Sequence, residues 1–165
     1  MTTLRVLVDA AVRAPNHKRT RPWRFTIVRD AARVRLGALW AQIVADETSL
    51  EGTLREALLI REAQKPLRAP AIVVASTRTS DDPVVACEDY AATAAAVENM
   101  LLAAYALGLG AIWRTGEMAH RDAINAFLGL AASDRIVAFV YVGEPGAAAP
   151  QAPEAAVDDV LRVLA

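Results

Sequence analysis

The side chains best suited to chemistry lie in two short segments. The first is the loop from Arg13 to Trp23, which packs Arg13, His17, Lys18, Arg19 and Arg21 between Pro15, Pro22 and the tryptophan. Proline fixes the backbone, so these cations sit on a stiff connection. Such a loop either binds an anion or an electron-rich ring edge, or is a solvated basic turn. The second segment is Gly108-Leu109-Gly110-Ala111-Ile112-Trp113-Arg114-Thr115-Gly116. Glycine lets the backbone approach a planar ligand. Gly108 and Gly110 nevertheless close a helix before a strand, the reverse of a dinucleotide fingerprint, and Gly108 reads as a helix cap. Arg114, at the end of an apolar strand, should face a pocket or a partner chain.

Other reactive residues point nowhere specific. Cys87 is expected to be a buried small residue, with no histidine placed to activate it. His120 is expected at the surface near a helix start, Trp23 and Trp40 in the core, and Glu88 and Asp89 as flanking residues of a long helix. No Ser-His-Asp signature, phosphate-binding loop or metal-ligand spacing is visible, so acid–base hydrolysis has no evident machinery.

These segments must be held by a regular framework. Thr3 is expected to cap a helix from about Leu4 to Arg13, with Leu4, Leu7, Val8, Ala11 and Val12 on one face. Trp23–Val28 reads as a strand. Asp30 is expected to cap a helix ending near Ala45, and a third helix spans Leu54–Gln64. The run Ala71–Ser76 predicts a strand buried on both faces. Val84–Leu107 is apolar almost all round, as expected of a helix buried everywhere. A short strand at Ala111–Arg114, a helix at His120–Leu128 and a strand at Ile136–Val142 follow. Gly143–Pro153 reads as extended, and Val157–Leu164 as a last helix or a segment wrapping a partner. Strands interleaved with helices give an α+β or α/β sandwich around one mixed sheet.

The chain has 165 residues, enough for one domain with a real core. Its 55% apolar content fits either extra surface hidden in an oligomer or a merely alanine-rich composition. A formal charge of -1 favours neither nucleic acid nor membrane. A single cysteine excludes an internal disulfide. No apolar run reaches ~18 residues and the N-terminus does not read as a signal peptide, so a soluble cytoplasmic protein is expected.

Taken together, Arg13-Ala14-Pro15-Asn16-His17 with Arg21-Pro22-Trp23-Arg24-Phe25, the helix Glu98–Leu107 with its Gly-Leu-Gly end, Ile112-Trp113-Arg114-Thr115-Gly116, and Val140-Tyr141-Val142-Gly143-Glu144-Pro145 resemble the FMN-dependent nitroreductases. The likeness spans residues 4 to 145 and is closest to the small NAD(P)H nitroreductase subgroup with a Trp-Arg-Ser/Thr-Gly motif. It implies a single α+β domain over residues 1–165, with a central mixed sheet surrounded by helices and an intertwined homodimer holding FMN at the interface. Arg13 and His17 would face the flavin bound mainly by the other chain, while Trp113, Arg114 and Thr115 would line it from their own. It implies ping-pong hydride transfer through flavin N5, from NAD(P)H to a nitro compound, quinone or similar small-molecule acceptor, with no obligatory side-chain acid or base. Arg13, Lys18, Arg19 and Arg114 would favour the anionic reduced flavin. Relatives begin one helix earlier, with an Arg-(Arg/His)-Ser stretch on the phosphate. That arm and a basic residue between Arg135 and Arg162 are not found here, which implies weak FMN binding. A non-catalytic dimeric scaffold and an anion- or nucleotide-binding regulatory module are the competing readings.

Overall fold

The computed structural model describes residues 1–146 and 156–164. In chain order it contains α1 (Thr2–Ala11), β1 (Trp23–Arg29), α2 (Ala31–Glu47), α3 (Gly52–Gln64), β2 (Ala71–Thr77), α4 (Pro83–Ala106), β3 (Gly110–Arg114), α5 (Asp122–Leu128) and β4 (Arg135–Gly143). The four strands form one sheet in the order β1-β2-β4-β3.

The α+β class holds, but the sheet is antiparallel along every ladder rather than mixed. The reason is topological. The α4 crossover makes β2 and β3 run the same way, yet they are not neighbours, because β4 inserts antiparallel between them.

Strand alternation sorts the core into two layers. Val73 and Ala75 of β2 join Ala138, Val140 and Val142 of β4 beneath α1 and α4. Ile72 and Val74 join Phe139 and Tyr141 beneath α2 and α5. All of β2 is buried, as its continuous apolar run predicts. A β-bulge opposite Ala75/Ser76 adds one residue to β4. That extra residue is why Ile136 shares a layer with Phe139 despite the odd spacing.

Helix ends differ from expectation in instructive ways. Thr3 lies inside α1 and caps nothing, because the helix already starts at Thr2 behind Met1. Asp30 does precede α2, but its carboxylate pairs with Arg29 at 3.1 Å and makes no cap bond. The effective cap is Asp82, whose Oδ1 accepts from the amides of Val84 (2.8 Å) and Val85 (3.4 Å), with Pro83 in the first turn of α4. A cap of this kind contributes about 1 kcal/mol.

Only one stripe of α4 is buried: Asp89, Ala92, Thr93, Ala96, Val97, Met100 and Ala104, at three- and four-residue spacing. The expected all-round burial is not met within one chain, for Leu102 and Tyr105 on the outer side are 58% and 84% exposed. Cys87 is exposed rather than buried, because it precedes that stripe. Gly143–Gly146 leaves the sheet, and residues 147–155 of the expected extended tail lie outside the described residues. Val157–Leu164 forms only a short 3-10 turn at Val157–Asp159, not a helix, and its apolar side chains are exposed. No described helix is long and apolar enough to cross a membrane.

The α2–α3 pair depends on one glycine. A Cβ on Gly37 would collide with the Ala63 carbonyl oxygen, a backbone atom that cannot swing aside. Glycine to alanine in a helix ordinarily gains about 0.5–1 kcal/mol. Here overpacking of about 1–3 kcal/mol opposes that gain. Gly37→Ala is therefore expected to lower stability in urea melts. An unchanged or raised midpoint would show that α2 and α3 separate without cost.

Candidate functional site

β3 is an edge strand, and its alternation decides what it offers. Ala111 and Trp113 pack toward α4. Ile112, 48% exposed, stands opposite Tyr141 on the other face, and Arg114 follows two residues on. Two cavities open here and share Arg68, Arg114 and Tyr141. The larger, about 740 Å³, runs along Gly108–Ile112 and is walled by Leu101, Tyr105 and Pro145. The smaller, about 370 Å³, is lined by Trp40, Glu62, Lys65, Thr115 and Glu117 among others.

The sequence builds the larger groove through its glycines. Gly108 takes φ +70°, the left-handed region, and ends α4 in a Schellman turn. The Leu109 amide reaches the Ala104 carbonyl (2.9 Å) and the Gly108 amide that of Tyr105 (3.0 Å). The chain is thereby turned directly into β3. A Cβ on Gly110 would press on the Pro145 backbone at 3.3 Å, so this glycine lets the β3 start and the β4 exit meet.

Charge is concentrated where the cavities join. The side chains of Arg68 and Arg114 have no ion-pair or hydrogen-bond partner among the described residues. Both acids that line the smaller cavity are engaged, while Glu144 on the larger one has no ion pair among the described residues. Glu62 is 4% exposed and pairs with Lys65 at 2.5 Å and Arg61 at 3.6 Å, while Glu117 pairs with Arg121. Burial pushes the Tyr141 hydroxyl above its ordinary range, and Arg114 and Arg68 only partly oppose that. It stays protonated at neutral pH and available as a donor. Trp40, 5% exposed, has a buried Nε1 with no acceptor.

The basic loop is built differently and lies elsewhere. His17 Nδ1 meets Glu88 Oε2 at 2.5 Å, and Thr20 Oγ1 donates to Asp89 Oδ1 at 2.6 Å. Glu88 and Asp89 are thus the anchors of this loop, beyond the flanking role expected of them. The Asn16 side chain accepts from the Arg21 amide at 3.0 Å. Lys18, Arg19 and Arg21 all have φ between 46° and 56°, a strained arrangement for side chains of this kind. Arg13 is exposed and faces Asp9 at 3.4 Å.

The predicted site residues therefore fall into two groups. Arg114 and Thr115 reach the cavities. Trp113 turns its ring to the α4 layer, with Nε1 donating to the Val137 carbonyl (3.1 Å). Arg13 and His17 line neither cavity. Glu88 and Gly108 lie twenty positions apart along α4, a span of about 30 Å. Sequence reading missed Arg68, Tyr141, Lys65 and the orphaned Trp40 N–H. For Arg68 the only signal is a cation between Pro66 and Pro70.

The chain is thus a three-layer α+β sandwich with a glycine-lined groove at one sheet edge, where two arginine side chains have no ion pair among the described residues. The profile of the nitroreductase family matches residues 1–144, and the chain belongs to that family. It is 29% identical over 143 residues to the Escherichia coli protein named "Putative NAD(P)H nitroreductase YdjA", covering 86% of this chain and 75% of that protein. Among solved structures, a nitroreductase-like family protein from Bacillus cereus superposes with a TM-score of 0.81 at 24% identity, over 99% of this chain and 84% of that one. A Bacteroides fragilis nitroreductase with bound FMN superposes at 0.71 with 18% identity, over 99% and 87%. The family and its relatives make this chain an oxidoreductase of the nitroreductase type.

Proposed function

We propose that the chain is an FMN-dependent NAD(P)H oxidoreductase that works as a homodimer and reduces nitro compounds, quinones or similar small acceptors. The observation that carries this reading is the groove at the β3 edge. Leu101, Leu109, Ala111 and Ile112 give it an apolar lining, bare backbone is exposed at Gly108, and the Arg114 side chain there has no ion pair among the described residues. These features fit a planar heterocycle with electron-rich edges. Bound FMN supplies two-electron redox chemistry, accepting hydride from NAD(P)H and passing electrons on.

The chain's own residues bind and orient. Arg114 holds polar ring atoms from one protomer, Thr115 adjoins it on the side of the smaller cavity, and the Trp113 indole, fixed on Val137, keeps that strand end rigid. Arg13 and His17 serve the site of a second copy. Neither lines the cavities at its own Arg114, and His17 is tied to Glu88 near the opposite end of α4. The outer α4 stripe with Leu102 and Tyr105 supports pairing of two copies, for contiguous apolar surface of this kind marks an interface.

The purified protein is expected to absorb in the visible as an oxidised flavoprotein and to scatter light as a dimer at micromolar concentration. Tyr105→Glu is expected to give monomer with flavin lost. A colourless, stable wild-type monomer would defeat this reading and leave a non-catalytic domain of the same fold.

A further inference from the structure

We propose that the smaller cavity is a carboxylate-recognition pocket, which selects electron acceptors that carry an acidic group. Its wall is rich in donors and poor in free acceptors. Trp40 carries a buried Nε1–H aimed at no acceptor, and Trp40 lines this cavity. An unmade hydrogen bond on a buried group costs about 1–3 kcal/mol, so the indole calls for an oxygen. The Thr115 and Tyr141 hydroxyls line the same space, with Arg68 and Arg114 beside them.

The charge balance favours an anion. Of the two acids in the wall, Glu62 is neutralised by Lys65 and Arg61, and Glu117 by Arg121. The two shared arginines have no ion pair among the described residues, and Glu144 of the larger groove pairs with neither. Arginine offers a planar fork that matches a carboxylate in two-point contact. At about 370 Å³ the cavity takes a benzoate-sized ligand rather than a dinucleotide. Its junction with the larger groove at Arg114 and Tyr141 leaves a ligand held by its acid group with its far end facing the proposed flavin site. That the ligand is an acceptor rests on the function proposed above, whereas carboxylate binding does not.

The test is a titration of the purified protein, with its FMN, against benzoate and benzamide, followed by the indole N–H signals. Trp40→Phe identifies the Trp40 signal, and the Trp113 signal, already bonded to Val137, is the internal reference. Benzoate is expected to shift the Trp40 signal saturably, and benzamide to bind at least about tenfold more weakly. Arg68 is exposed, so Arg68→Gln leaves the fold intact. It should weaken benzoate about tenfold or more and leave benzamide unchanged. A Trp40 signal that ignores benzoate, or equal affinities for the two probes, overturns the pocket. So does mutual exclusion of benzoate and FMN, which would give the donors to the cofactor's own phosphate. In turnover, 4-nitrobenzoate should have a lower KM than nitrobenzene, and Arg68→Gln should erase the difference. Equal KM values would overturn the acceptor role. Benzoate binding to a colourless protein would instead retain the pocket and overturn the flavin reading.

Discussion

Phe139→Ala is expected to remove about 3–5 kcal/mol of stability, the range for truncating a fully buried phenylalanine. Phe139 is 0% exposed at the middle of β4, an inner strand paired on both sides. Its ring meets Trp40 edge to face, with centroids 5.6 Å apart and planes at 78°, a geometry that adds about 0.5–1.5 kcal/mol beyond area burial. Val74, Leu36 and Ile124 surround the same layer and are themselves fully buried, so the cavity cannot collapse cheaply. For a chain of this length each kcal/mol moves Tm by about 2–4 °C, and a drop of roughly 6–20 °C in thermal melts should follow. Phe127 sits partly buried at the rim of that layer, so Phe127→Ala should cost clearly less. Equal losses for the two variants would show that the α2 layer is not packed as described.

How far the sequence anticipates this structure depends on the range of the interaction involved. The Ala71–Ser76 run is legible because a strand buried on both faces needs apolar residues at every position. Gly108 is legible because a left-handed helix cap is a local demand that glycine meets best. The antiparallel sheet is not legible, since nothing near β4 states that it will insert between β2 and β3. The anchoring of His17 and Thr20 by Glu88 and Asp89 is equally remote in sequence. Burial of Trp40 can be read from its apolar type, but its unpaired N–H cannot, because that depends on which residues fail to reach it. Arg68 and Tyr141 escape for the same reason: one lies in a proline-bracketed linker and the other in an apolar strand, and only the folded sheet edge brings them to Arg114. Arg121 bridges Glu117 and Glu47 (2.7 Å), the latter another contact remote in sequence. It therefore ties the start of α5 to the end of α2.

Arg114→Ala is expected to weaken FMN binding roughly ten- to a hundredfold, the loss of one charge-assisted hydrogen bond of about 1.5–3 kcal/mol. Arg114 is placed for this by three independent features. It ends an edge strand that leaves one face open, it lines both cavities, and no acid among the described residues pairs with it. Its exposure also means that its removal costs the fold little, so a lost flavin cannot be blamed on unfolding. The fitting control is Arg35→Ala, an exposed residue on α2 that lines neither cavity, because Arg121→Ala would break the tie between α5 and α2. Fluorescence titration with FMN on the two variants, with thermal melts alongside, decides the matter. A Kd for Arg114→Ala matching that of Arg35→Ala would remove this arginine from the flavin site.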